Sequence, residues 1–209
     1  MPLIVFQHIL DDHGKLLVWQ GKESLDQLRK KYWSAYPNAP IPDFKLEKRE
    51  REFLIGRILV HMVLPGLELY NLDNGKPVVS GGWHISLSHT RDLVGLVVAD
   101  APIGLDMQAP EEKLLRIATK FCNDKELEWI ETLPNPVEGA LIIWSSKEAV
   151  FKVFGESIEF ADEMAIRIRT PRQSKFALEY QGDHGHEVFA MHQMNIKDVR
   201  VVYTLKGAS

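Results

Sequence analysis

The segment Gly139-Ala140-Leu141-Ile142-Ile143-Trp144-Ser145-Ser146-Lys147-Glu148-Ala149-Val150-Phe151-Lys152-Val153-Phe154-Gly155 organises the reading of the rest of the chain. Its apolar entry contains no helix breaker, and Gly155 stands where a helix stops. Lys147, Glu148 and Ala149 between them are good helix formers. A helix here places Trp144, Glu148 and Lys152 on one face, four residues apart. Taken alone, Glu148 and Lys152 at that spacing also describe an exposed i,i+4 ion pair, worth a few tenths of a kcal/mol.

A second segment gives that pair another meaning. The apolar run 93–99 is followed by Asp100-Ala101-Pro102 and then by Ile103-Gly104-Leu105-Asp106-Met107-Gln108. This pattern predicts a hairpin whose second strand starts at Ile103. Alternation turns Ile103, Leu105 and Met107 to the core and puts Asp106 and Gln108 together on the other face. A strand carboxylate, Asp106, and a helix carboxylate, Glu148, then make a candidate site for a hard cation. Magnesium is commonly held by one or two carboxylates, with water and substrate phosphate completing its shell.

These two segments carry a resemblance. Gly104-Leu105-Asp106-Met107-Gln108 resembles the Gly-x-Asp-x-Glu motif of 4′-phosphopantetheinyl transferases, and Trp144-Ser145-Ser146-Lys147-Glu148-Ala149 with Lys152 resembles their Trp-x-x-Lys-Glu-Ala-x-x-x-Lys motif. Upstream, Gly75-Lys76-Pro77 and Ile85-Ser86-Leu87-Ser88-His89-Thr90 are similar to the family's Gly-Lys-Pro and Asn-x-Ser-His-Ser blocks, with Ser86 where asparagine is usual. Four motifs in the family's order, with a possible fifth near Arg51, cover about half the chain. The likeness is to the larger, monomeric, Sfp-type branch.

The resemblance implies an α+β fold of two similar α/β halves related by a pseudo-twofold axis, with coenzyme A in the cleft between them. The halves are expected at 1–103, with the coenzyme A motifs, and 104–209, with the magnesium and catalytic motifs. The implied reaction moves the phosphopantetheine arm of coenzyme A to a serine of an acyl or peptidyl carrier protein and releases adenosine 3′,5′-bisphosphate. The implied metal ligands are Asp106, Gln108 and Glu148, and the implied contacts to coenzyme A phosphates are Arg51, Lys76, Ser88 and His89. Glu148 and Lys152 are implied in catalysis, the lysine neutralising or protonating the leaving phosphate. Phe121-Cys122-Asn123-Asp124-Lys125-Glu126 resembles the family's Phe-Phe-Ser-x-x-Glu, which makes Glu126 a candidate base for the serine. Asn123 is also a natural N-cap, so Glu126 at the third helical position equally fits a capping box.

Composition narrows the class of protein without naming its chemistry. The chain has 209 residues, 45% apolar and 26% charged, as in soluble globular proteins. A formal net charge of −4 argues against nucleic acid as the main partner. No apolar run reaches a membrane span. The start of the chain lacks a basic flank and meets Asp11-Asp12 early, unlike a signal peptide. A single cysteine, Cys122, excludes an internal disulfide and fits a reducing cytoplasm.

Elsewhere the pattern predicts strands at 3–10 and 14–19 around an Asp-Asp-His-Gly turn, a helix over 23–36 capped by Ser24, and a helix over 46–64. The second helix has a buried stripe of Ile55, Ile58, Leu59, Met62 and Val63. Its charged start, with Lys45, Lys48, Arg49, Arg51 and Arg57, reads as solvated surface, Arg51 excepted. An Asn-Gly turn within 70–77 joins two short strands, and 83–88 alternates as a strand ending at His89. Residues 111–121 are predicted as one helix with a basic face of Lys113, Arg116 and Lys120, either solvated or suited to an acidic carrier-protein helix. Four strands follow, at 163–169, 175–181, 187–192 and 198–205, and His184-x-His186 lies in a Gly-rich turn without a metal-binding frame.

Gln108 is the departure from the family pattern that matters. A neutral amide replaces a carboxylate, which predicts weaker magnesium affinity and a gain in affinity for Gln108→Glu. The competing expectation is a relative that binds coenzyme A or a carrier protein without transferring the arm.

Overall fold

In the computed structural model, residues 2–10, 13–155 and 158–207 are described, so Asp11 and Asp12 of the expected first turn lie outside the described residues. The chain divides into two compact units, Met1–Asp100 and Ala101–Ser209. Both combine helices with antiparallel strands, and the protein is α+β.

The first unit contains β1 (Leu3–Ile9), β2 (Gly14–Gln20), α1 (Leu25–Ala35), α2 (Glu47–Val63), β3 (Leu69–Asn71), β4 (Pro77–Val79), β5 (His84–Thr90) and β6 (Leu93–Ala99). Its main sheet has the order β1-β2-β6-β5, and β3 and β4 form a separate ribbon. Ser24 closes a capping box with Gln27 at the start of α1. The α2 stripe of Leu54, Ile55, Ile58 and Leu59 packs with Leu17, Trp19, Ile85, Val94, Leu96 and Val98 of the sheet. Met62, expected in that stripe, is 46% exposed, while Val60 and Leu64 in the same turn are buried. Ser86 and Ser88 are buried along with Ile85, so β5 is covered on both faces and does not divide into apolar and polar sides.

The second unit holds β7 (Ile103–Gln108), α3 (Lys113–Arg116), α4 (Asp124–Glu131), α5 (Pro136–Phe154), α6 (Phe160–Glu163), β8 (Met164–Arg167), β9 (Lys175–Gly182), β10 (Gly185–Ile196) and β11 (Val199–Leu205). Its sheet runs β7-β11-β10-β9-β8. Pro136 starts α5, where its missing amide hydrogen removes no helical bond. Gly155 ends it in the left-handed region at φ +77°. No residue of α5 is exposed, and Leu141, Ile142, Val150 and Val153 lie in a core shared with Leu178, Phe189 and Val202. Gly104 explains how β7 meets this helix. A Cβ there would stand 1.8 Å from the carbonyl oxygen of Ala149, so the strand and helix backbones touch.

Two local expectations fail. β6 and β7 do not form a hairpin: β6 pairs with β2 and β5, while β7 pairs with β11 from Ile103↔Leu205 to Gln108↔Arg200. The turn at 100–102 links two sheets. The helix predicted over 111–121 is interrupted as well. After α3, Ile117 leaves helical geometry at φ −113°, ψ 10°, and Ala118–Lys120 form a single 3₁₀ turn. Ile117 and Thr119 are β-branched, which lowers helix propensity at the break.

Candidate active site

Asp106 is brought to α5 by the alternation of β7, which turns it to the face that Gly104 packs against the helix. It is 6% exposed. Lys152 Nζ lies 3.0 Å from Asp106 Oδ1 and donates to the Leu105 carbonyl at 2.8 Å. Glu148, one turn earlier, is half-buried and makes no hydrogen bond or ion pair among the described residues. Burial, then the facing Asp106 carboxylate, raise the Glu148 carboxyl above its ordinary range, with Lys152 opposing. A carboxyl held up by a neighbouring carboxylate is an environment a divalent cation relieves.

The residues present therefore fit magnesium. Among the described residues no three His, Cys, Asp or Glu side chains form a complete metal-binding group. A carboxylate pair of hard oxygens leaves the remaining positions to water and substrate phosphate, the usual arrangement for this ion. Trp144 packs edge-on to Phe121, with ring centroids 5.1 Å apart, and beside Phe160 at 5.8 Å, which fixes this face of α5.

Glu126 belongs to a different cluster. Asn123 and Glu126 form a capping box at α4, with the Asn123 amide donating to Glu126 Oε2 at 3.0 Å. Lys147 Nζ also donates to Oε2, at 2.6 Å, and the Ile166 amide donates to Oε1 at 2.8 Å. The carboxylate is 4% exposed and Lys147 is fully buried. Lys147 also donates to the carbonyls of Phe121 at 2.8 Å and Phe160 at 2.9 Å. Helix patterning gave no sign of this interior ammonium, because a lysine between two helix formers reads as surface.

Cys122 lies beside this pair. Burial first and then Glu126 push its thiol up to about 12, with Lys147 opposing. A raised thiol favours the folded state below its unfolded pKa, and that contribution is lost as pH rises through about 12. Alkylation needs the thiolate, so iodoacetamide is expected to leave the native chain unlabelled at neutral pH and to label it in guanidinium. Mass spectrometry of native and unfolded samples checks this; rapid native labelling would show an accessible thiolate.

The four residues expected at coenzyme A phosphates lie in the first unit. His89 Nδ1 is 3.2 Å from Glu52 Oε1, and its Nε2 is 3.2 Å from an Arg49 guanidinium nitrogen. Arginine only donates, so this arrangement selects the ring tautomer protonated on Nδ1. Arg49 is a residue the charge pattern alone had left on the surface. Arg51 instead donates to Glu47 at 2.8 Å and to the Glu23 carbonyl. Lys76 lies close enough to His84 to lower its imidazole, after burial and against Asp100. Ser88 is 5% exposed, while His89 is open to solvent. Arg49 and His89 border a groove of about 300 Å³ with Phe44, Phe53 and Leu87. A larger groove of about 730 Å³, lined by Tyr32, Tyr36 and Tyr70, shares Phe53 and Arg57 with it.

With this geometry in view, comparison with known proteins places the chain in a class. Residues 102–204 match the family model described as the 4′-phosphopantetheinyl transferase superfamily, and this part of the chain belongs to that superfamily. Among individual relatives it is similar to the 4′-phosphopantetheinyl transferase psf-1 of Bacillus pumilus, with 30% identity over 154 residues, 67% of this chain and 65% of that protein. It is 25% identical over 150 residues to the 4′-phosphopantetheinyl transferase HetI of Nostoc sp., 63% of each chain. A third relative, the 4′-phosphopantetheinyl transferase gsp of Aneurinibacillus migulanus, is 25% identical over 117 residues, 50% of this chain and 48% of its own. The matched stretch spans less than two thirds of each of these relatives. Among the described residues no helix is long and apolar enough to cross a membrane.

Proposed function

We propose that this chain transfers the 4′-phosphopantetheine arm of coenzyme A to a serine of an acyl or peptidyl carrier protein, releasing adenosine 3′,5′-bisphosphate, and that it works as a cytoplasmic monomer whose two halves share a pseudo-twofold plan. The observation that carries the proposal is the convergence of Asp106, Glu148 and Lys152 on the β7–α5 contact. Superfamily membership of residues 102–204 supports the reaction class.

In this reading Asp106 and Glu148 hold magnesium, with Gln108 beside them. When bound, the ion supplies Lewis-acid neutralisation of pyrophosphate charge. The serine oxygen forms a bond to the phosphorus bearing the pantetheine arm, and the bond to the adenosine bisphosphate oxygen breaks. Positioning and charge neutralisation supply most of the acceleration in such transfers. Lys152, its ammonium already at the Asp106 carboxylate, neutralises the departing phosphate. The serine proton passes through water to Glu148, whose carboxylate makes no hydrogen bond among the described residues. Glu126 acts by orienting Lys147 and the start of α4, because its oxygens are occupied. Lys76, Ser88 and His89 are assigned to coenzyme A phosphates together with Arg51. Arg49 joins them through its contact with His89.

Intact-mass measurement of an apo carrier protein incubated with this chain, coenzyme A and magnesium tests the proposal. A phosphopantetheine mass gain that EDTA abolishes is expected. No gain with several carriers, while coenzyme A still binds, would identify a binding protein instead, the reading that Gln108 favours.

A further inference from the structure

Gln108 stands where relatives of this pattern carry a metal-binding glutamate, and its surroundings suggest how the chain manages the change. The side-chain amide nitrogen donates to the Ala109 carbonyl at 3.1 Å and to Glu111 Oε1 at 3.2 Å. Both neighbours are acceptors, so the opposite amide orientation would set oxygen against two oxygens. Glu111 is itself held: its other oxygen lies 2.8 Å from Lys113 Nζ. The amide nitrogen is thus consumed by the 109–111 segment, and Oε1 of Gln108 accepts no hydrogen bond among the described residues. Gln108 shares the face of β7 that carries Asp106. A carbonyl oxygen is an acceptable hard ligand for magnesium, directly or through a bound water.

We propose that Glu111 is a positioning residue for the metal site: it fixes the Gln108 amide so that Oε1, and not the amide nitrogen, is offered toward the cation held by Asp106 and Glu148. This rests on the reading that those two carboxylates hold the ion. Glu111 is not a ligand in this scheme; it acts on a ligand, as outer-shell partners of metal sites do. An unconstrained glutamine would spend part of its time with its NH₂ group facing the ion, where two N–H donors repel a cation. The contact with Glu111 removes that state. A neutral ligand locked in the productive orientation then replaces a charged one.

The test measures Mn²⁺ binding by the electron paramagnetic resonance of the free ion, using the full chain with coenzyme A and no carrier protein, so that nothing turns over. Glu111→Ala is expected to weaken Mn²⁺ binding by about tenfold, within the range for loss of outer-shell partners. Glu111→Gln keeps an oxygen that accepts from Gln108 and is expected to bind close to wild type. If Glu111 works through Gln108, the double variant Gln108→Ala/Glu111→Ala binds no more weakly than Gln108→Ala alone. Unchanged affinity in Glu111→Ala, an equal loss in Glu111→Gln, or multiplied losses in the double variant would each overturn the proposal. Asp106→Ala separates this from the reading beneath it. If that variant binds Mn²⁺ as well as wild type, the ion is not held at Asp106 and the site assignment itself fails.

Discussion

Lys147→Met is expected to destabilise the protein by about 3–5 kcal/mol, the range for removing one partner of a buried ion pair. The side chain of Lys147 is fully buried and that of Glu126 is 4% exposed, so water cannot replace the lost ammonium. Methionine matches the length of the lysine stem and isolates the loss of charge and hydrogen bonds from the loss of volume. Three acceptors lose the ammonium as a donor at once: Glu126 Oε2, which keeps only the Asn123 amide, and the carbonyls of Phe121 and Phe160. Those groups lie in α4, just before it, and in α6, so the ammonium ties α5 to the segments that flank it. Burial lowers the Lys147 ammonium from its ordinary value while Glu126 opposes, which is the balance of a charge kept in the interior by its partner. Adding Glu126→Gln removes the orphaned charge and keeps an oxygen for one of its two amide donors. The double variant should therefore recover a large part of the loss. Urea unfolding of the wild type and both variants measures it. A single-variant loss under about 1 kcal/mol would mean that the carboxylate is neutral or hydrated in the variant.

Asp106→Asn is expected to reduce transfer by on the order of 10³-fold, since several kcal/mol of charge stabilisation depend on the bound ion. Stability should change little. Asparagine retains an oxygen for Lys152, whose ammonium also holds the Leu105 carbonyl and whose side chain is 26% exposed. Carrier-protein mass gain under single-turnover conditions gives the rate, and thermal unfolding gives the control. Retained transfer with an unchanged dependence on magnesium would remove Asp106 from the metal site. A lost activity accompanied by a large fall in Tm would instead show that Asp106 serves the fold through Lys152.

Sequence reading located the body of α5 from Gly139 and its end at Gly155, because such a stop follows from local backbone preferences, but not its start at Pro136. The caps at Ser24 and Asn123 were legible for the same reason: each side chain bonds to an amide three residues away. The pairing of β7 was not legible. A Pro-containing turn after an apolar run resembles a hairpin, yet the hydrogen-bonding partner of Ile103 is Leu205, at the far end of the chain. The helix expected over 111–121 breaks at Ile117 although its buried residues, Leu114, Ala118, Phe121 and Cys122, keep helical spacing, so the hydrophobic pattern alone could not show the break.

The candidate site divides along the same line. Asp106, Glu148 and Lys152 could be named from two short motifs, since strand alternation and helical spacing are local properties of the backbone. Only the folded chain decided that Lys147 is an interior ammonium bound to Glu126, that Arg49 meets His89, and that Gln108 is held by Glu111. Secondary structure fixes the direction of each side chain within its own element. The charge or acceptor it meets is supplied by another segment, and burial then sets how strongly the two interact.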